Sequence, residues 1–363
     1  MKRMRAVLVG GALALSMGLT ACGSSDDEGG GGSGGSGDSD KAKIGVILPD
    51  TESSVRWETA DRPALEKAFK AGGVDYDIQN AQGDADKMAQ IADSMISSGV
   101  TVLAIVNLDN ASGAAIQEKA KQQGIATIDY DRLTLGGSAE YYVSFDNEKV
   151  GQLQGEGLQK CLGKDTKANI VYLNGSPDDS NATSFSKGAH SVLDANTNYK
   201  VVAEQAVPGW DNEEAGNIFE QMFTQNKGKI DGVLAANDGL GGAAIAILDK
   251  NGVAGKVPVT GQDATVQGLQ DVLAGTQCMT VYKSAKEEAG ALADLALALA
   301  KGDKGETNGT SNDTEGDRKV PSVLLDPVAI TKENVKQVTD DGGQKAAEVC
   351  KGVEKECKAA GIS

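Results

Sequence analysis

From Lys41 onward, short apolar runs alternate with longer stretches of helical periodicity, and this alternation restricts the possible folds more than any other feature of the chain. The runs are KIGVIL (43–48), VDYDIQ (74–79), VTVLAIV (100–106), GIATIDY (124–130) and YYVSF (141–145). They continue with NIVYL (169–173), KVVAEQ (200–205), IDGVLAA (230–236), KVPVTG (256–261), CMTVY (278–282) and VLLDPVAI (323–330). Between them lie amphipathic stretches such as ADKMAQIADSMISSG and NEEAGNIFEQMFTQN. Strands about 25–30 residues apart with helices between them build βαβ units, because parallel strands need a long crossover. Eleven such strands are too many for one compact unit, and 363 residues suit two domains. The pattern predicts an α/β protein of two doubly wound, Rossmann-like lobes.

The strands end on polar residues. Asp50, Asp109, Asp131, Asp146, Asn174, Asn237, Asp238, Asp263 and Lys283 each follow an apolar run. In open α/β sheets a ligand sits beyond the carboxyl ends of the strands, so two facing sheets would aim these groups into one cleft. The competing explanation is helix capping by Asp and Asn. It suits Asp50 and Asp109 but not Arg132 or Lys283, which are not N-cap residues.

Carboxylates, amides, Arg and Lys at close quarters suit a small neutral polyol. Each sugar hydroxyl both donates and accepts, and a charge-assisted hydrogen bond contributes ~1.5–3 kcal/mol. Adjacent Asp131 and Arg132, in DYDR (129–132), would neutralise each other and lessen the cost of burying either. Flat indoles cover the C–H faces of a sugar. The two tryptophans, Trp57 in SSVRWETADRP and Trp210 in VPGWDNEE, both follow strands, one in each predicted lobe.

The N-terminus sets the compartment. MKRMR is a basic n-region, AVLVGGALALSMGL is too short for a membrane span, and LTAC (19–22) resembles the lipobox of bacterial lipoproteins. Residues 1–21 therefore read as a lipoprotein signal peptide with Cys22 as the acylated residue. Residues 23–40, rich in Gly, Ser and Asp, form a flexible linker. A net charge of −17 argues against nucleic acid, which needs a basic face. Four further cysteines, Cys161, Cys278, Cys350 and Cys357, allow three pairings. A Cys350–Cys357 bridge needs a break in the helix, and Gly352 offers one. With no CxxC, no GxxxxGK[ST] and the single histidine His190, no metal or cofactor is expected.

Several stretches together resemble the periplasmic sugar-binding proteins of ABC transporters, most of all their xylose-binding and multiple-sugar-binding branch. They are RW (56–57), YDR (130–132), SFDNEKVGQLQ (144–154), NGSPDDSNA (174–182), ANDGLGGA (236–243), GQDA (261–264), GTQCMTVYK (275–283) and VPSVLLDPVAITKENVKQV (320–338). The resemblance implies a type I periplasmic binding protein fold, with two lobes joined by a three-stranded hinge and one monosaccharide buried between them. Lobe one would hold 41–145 and 264–320, lobe two 146–263 and 321–340, and 341–363 would be a C-terminal extension. Arg56, Asp131, Arg132, Asp179, Asn181, Asn237, Asp263 and Lys283 match polar sugar contacts, and Trp57 and Trp210 the stacking aromatics. Asp146 sits at a crossing strand. Ser180 and the Glu58-Thr59-Ala60 segment depart from the xylose-binding pattern, so the residues do not name the sugar.

The implied mechanism is hinge closure around the sugar, followed by docking on a membrane permease served by a separate ATPase. The protein would be an extracytoplasmic monomer, bound to the outer face of the cell membrane through its lipid alone. A glycoside-acting enzyme would place two carboxylates across a scissile bond. A chemotaxis or sensor-kinase receptor would use the same residues, and a cyclic polyol or furanose is an alternative guest. The stretch 301–319 reads as an exposed loop.

Overall fold

The computed structural model describes residues 42–362, so the signal segment, Cys22 and the Gly/Ser linker lie outside the described residues. The described strands are β1 (Lys43–Leu48), β2 (Asp75–Asn80), β3 (Val102–Ile105), β4 (Ala126–Tyr130), β5 (Tyr141–Phe145) and β6 (Ala168–Asn174). They continue with β7 (Tyr199–Ala206), β8 (Gly232–Ala235), β9 (Thr280–Tyr282), β10 (Gly309–Asp313), β11 (Arg318–Leu325) and β12 (Val328–Ile330). The first sheet has the order β10-β11-β5-β4-β3-β1-β2, parallel throughout except for the β10–β11 hairpin. Its central strands are apolar on both faces because helices cover both faces. One cluster packs Leu65 and Phe69 of helix Arg62–Gly72 against Leu292 and Leu295 of helix Ala285–Ala300.

The second sheet runs β7-β6-β8. Backbone bonds extend it, since Val233 N donates to Pro258 O, Cys278 N to Val259 O and Val281 N to Gly261 O, while β12 pairs antiparallel with β9. Counted along the chain, both lobes share the doubly wound order 2-1-3-4-5, which opens a crevice at the carboxyl edge of the sheet.

The chain passes between the sheets three times: at Asp146 after β5, at Lys283–Ser284 after β9, and at Asp326–Pro327 between β11 and β12. These crossings move two expected boundaries. Helix Val266–Ala274 and β9 pack in the second lobe, with Leu269, Leu273 and Tyr282 against Ile330 and Val338, whereas lobe one was expected from residue 264. Conversely β11 adds to the first sheet beside β5, beyond the expected boundary at 320. An apolar run specifies a strand but not which sheet's open edge it will meet.

The stretch 301–319 is also not all loop. Residues Gly309–Asp313 form the edge strand β10, and buried Asp313 turns the hairpin by accepting from Gly136 N, Gly316 N and Arg318 Nε. The C-terminal residues dock on the second lobe through Val349, Cys357 and Ile362. Two disulfides form, Cys161–Cys278 and Cys350–Cys357. The latter spans a break at Gly352, whose φ is +84°.

Candidate ligand-binding site between the lobes

All ten residues singled out for a ligand, Arg56, Trp57, Asp131, Arg132, Asp179, Asn181, Trp210, Asn237, Asp263 and Lys283, line a single cavity between the two sheets. Ser53, Ser54, Phe185 and Gln262 complete its wall. The space left between these side chains is small, about 30 Å³, because the charged groups reach one another across it.

Asp131 leaves β4 with φ +60°, Trp210 has φ +59° and Asp263 φ +93°. Left-handed backbone is unfavourable for such residues and persists only where the surroundings impose it, commonly at functional sites. At Asp131 the imposition is visible: its carbonyl accepts from Tyr142 Oη and Ser144 Oγ at 2.8 Å and from Asn181 Nδ2 at 2.9 Å. Around Asp263, buried Asp238 accepts from Thr265 N and Gln277 Nε2, both at 2.8 Å, and so shapes the following loop.

The charges pair differently from expectation. Asp131 makes no direct ion pair with its neighbour Arg132. Its carboxylate accepts from Arg56 Nη1 at 3.2 Å, Lys283 Nζ at 3.3 Å and Asn181 Nδ2 at 3.1 Å. The chain turns at Asp131, with Arg132 N donating to Tyr130 O, and Arg132 leaves in another direction. It donates to Asn107 O and Ser53 Oγ, each at 3.1 Å. Its Nε lies 3.0 Å from Asp179 Oδ2 in an ion pair across the cleft, at an angle that is not a hydrogen bond's. Burial pushes the Asp131 carboxyl up, but Lys283, Arg56 and Arg132 outweigh it and bring it to about 2. Burial likewise works against Lys283, yet Asp131 and Asp263 hold its ammonium above the usual range. Asp179, with Arg132 alone as a close cation, is raised by burial.

Each indole is anchored by its N–H. Trp57 Nε1 donates to Ser53 Oγ and Trp210 Nε1 to Asp179 Oδ2, both at 3.1 Å. Arg56 and Arg132 lie over Trp57 at 4.7 and 5.7 Å, while Phe185 meets Trp210 edge-on. Trp210 sits where only Gly175 leaves room: a Cβ on that glycine would come within 2.0 Å of Cη2.

Asn237 both caps its helix, accepting from Leu240 N, and donates to Ser53 O across the cleft at 3.3 Å. Other strand-end groups only cap or turn. Asp109 and Asp146 accept from Ser112 N and Lys149 N, and Asp50 from Ser53 N. Asn174 donates to Glu204. None of these, nor Asp238, lines the cavity.

Phe185 escaped the sequence reading, although it follows Asn181 by one helical turn and so shares its face. Ser53, Ser54 and Gln262 carried no signal beyond adjacency to Arg56 and Asp263.

A polar cleft closed from two doubly wound lobes, with walls of charge and indole, defines a bilobed solute-binding protein. The chain belongs to the periplasmic binding protein domain family, whose model matches residues 44–304. It is 37% identical over 313 residues to the D-xylose-binding periplasmic protein of Escherichia coli (strain K12), covering 85% of this chain and 93% of the relative. It is 34% identical over 337 residues to a multiple sugar-binding periplasmic receptor of Rhizobium radiobacter, covering 86% and 93%. Among solved structures, an ABC transporter solute binding protein from Clostridium phytofermentans with bound β-D-glucose superposes with a TM-score of 0.78 at 29% identity, over 85% of this chain and 99% of that one. These relatives are solute-binding proteins, not enzymes, which sets aside the glycoside-acting alternative.

Proposed function

We propose that this protein is the substrate-binding component of a sugar ABC importer and holds one monosaccharide, xylose or a similar aldopyranose, between its lobes. The observation that carries this reading is the convergence of ten side chains from both lobes on one buried cavity rich in charge and amide. Relatives named for D-xylose and for multiple sugars, and a structural neighbour with bound glucose, support the same class of guest.

Contacts from opposite walls join the lobes directly, among them Asp131 with Lys283 and Asn181, Arg132 with Asp179, Ser53 with Asn237, and Ser54 with Asp263. The sugar enters with the lobes apart. Its hydroxyls then replace part of these contacts, accepting from Arg56, Arg132 and Lys283 and donating to Asp131, Asp179 and Asp263. Each lobe alone offers half of the partners, so closure is what makes binding tight. The closed form docks on a permease driven by a separate ATPase, and the protein acts as a monomer outside the cytoplasm. Cys22, acylated after removal of residues 1–21, anchors it to the membrane, and residues 23–40 are its tether.

The test is a panel of D-xylose, glucose, galactose, arabinose and fucose, read by tryptophan fluorescence and melting temperature. At least one aldopyranose should shift both. A flat response to all five defeats the aldopyranose assignment, and mass spectrometry of a copurifying solute would then redirect it.

A further inference from the structure

Behind the cavity wall two buried carboxylates grip Arg56, and the sugar contacts account for neither. Asp61 ends the turn Trp57–Asp61, and Glu288 lies in the first turn of helix Ala285–Ala300; both are 0% exposed and neither reaches the cavity. Asp61 accepts from Arg56 Nε at 2.8 Å and Nη2 at 2.6 Å, a two-point grip on one edge of the guanidinium. The carboxylate is itself fixed, since Tyr130 Oη donates to it at 2.7 Å. Glu288 Oε2 accepts from the same Nη2. Trp57 covers one face of the guanidinium. Only Nη1 is turned toward the cavity, where it donates to Asp131.

Burying two carboxyl groups behind one guanidinium is costly: burial pushes Glu288 up to about 8 against the pull of Arg56, and raises Asp61 as well. What the arrangement gives in return is rigidity. A free arginine loses much rotamer freedom when a guest orders it, and a donor ordered in advance spares the complex that loss. Lys283 makes the contrast: its ammonium has Asp131 at 3.3 Å, Asp263 at 3.9 Å and the Phe185 ring as neighbours, with no two-point grip on it.

We infer that Asp61 and Glu288 are positioning residues that hold Arg56 as a rigid donor, so that Nη1 meets the guest in one orientation and selects among sugars differing at one carbon. This rests on the sugar-binding reading above. A fixed donor rewards only the sugar whose oxygen lies on its axis, whereas a loose one adapts to several.

The experiment uses the full chain, calorimetry with D-xylose and the other panel sugars, and a melting curve for every variant. Glu288→Ala should weaken the preferred sugar about tenfold and narrow the affinity ratio between it and the next sugar. Glu288→Gln, which keeps an acceptor for Nη2, should restore most of both. In an Arg56→Met background Glu288→Ala should change affinity no further. An equal loss for every sugar, or a loss of the same size in the Arg56→Met background, overturns the clamp and leaves Glu288 a core residue. If Arg56→Met does not fold beside two unpaired carboxylates, the ratio measured with Glu288→Ala and Glu288→Gln decides alone. Wild-type silence toward the whole panel removes the sugar reading and the clamp with it, an outcome distinct from a wild type that binds and a variant that keeps its selectivity.

Discussion

Lys283 Nζ lies 3.3 Å from Asp131 Oδ2, a buried ion pair between side chains 152 residues apart that leave different sheets. Neither charge is free to be buried alone, and Arg56 shares the same carboxylate oxygen. This junction ties the state of the cleft to the state of its charges.

Asp131→Ala should therefore weaken D-xylose binding by at least ~1–3 kcal/mol, because it strands Arg56 and Lys283 without their common acceptor. Asp131→Asn separates charge from backbone, since Asn also tolerates the left-handed conformation found there. Calorimetry on both variants measures the effect. Unchanged affinity in Asp131→Ala would make the cluster a fold element only.

Gly175→Ala should displace the Trp210 ring without unfolding the second lobe. The new Cβ would fall 2.0 Å from Cη2, inside any permissible contact, and the indole is the part able to move. We expect about tenfold weaker sugar binding and an altered fluorescence spectrum with a nearly unchanged melting temperature. Retained affinity would mean that Trp210 does not cover the guest.

The two disulfides should differ in worth. Cys161–Cys278 closes a separation of 117 residues and Cys350–Cys357 one of 7. Loop-closure entropy assigns the long bridge ~4–5 kcal/mol and the short one ~2–3 kcal/mol. Denaturant unfolding of the Cys161→Ala/Cys278→Ala and Cys350→Ala/Cys357→Ala variants tests the order, and a larger loss from the short bridge would contradict it.

Burial raises the Asp129 carboxyl to about 7, against the opposing pull of Thr134, the Arg318 charge and Gln117. In the window between the unfolded carboxyl's pKa near 4 and about 7, the native state binds more protons than the unfolded chain. Stability from this group is thus full below that window and is lost as pH rises through it. Asp238, raised by burial to about 7, acts in the same sense, and Asp131, at about 2, in the opposite one at acid pH. Melting curves from pH 4.5 to 7.5 should show a shallower decline for Asp129→Asn than for wild type. Parallel curves would show that Asp129 is ionised throughout.

If Cys22 carries the proposed lipid, Cys22→Ser should move the protein from the membrane fraction to the soluble one when it is expressed in a bacterial host, with sugar binding intact, because every residue lining the cavity lies at Ser53 or beyond. Persistent membrane association would exclude the acylated cysteine as the anchor.

The period of the apolar runs sufficed for the class of fold, since a βαβ unit is specified locally by strand length, helix periodicity and the polar residue between them. The predicted residues lining the cavity were legible for a related reason: each lies at or after a strand's carboxyl end, in a loop, a short helical turn such as those of Trp57 and Trp210, or, for Asn181, the first turn of the next helix, where topology leaves a crevice. Capping and cavity lining are not exclusive: Asn237 and Asp179 each cap a helix and line the cavity. Asp146 and Asp109 cap and do no more.

What the chain determined unaided was the alternation, the two lobes and the set of polar tips, all consequences of spacing along one dimension. The tertiary structure alone decided which edge β9 and β11 joined, which cysteines paired, and that Asp131 answers Lys283 and Arg56 while Arg132 crosses to Asp179. Those outcomes depend on distances between residues far apart in sequence, and partner choice among buried charges follows the turn each chain makes beyond its strand, such as the left-handed one at Asp131. The carboxylates behind Arg56 belong to the same category: Asp61 and Glu288 become a pair only when helix Ala285–Ala300 packs beneath the first sheet.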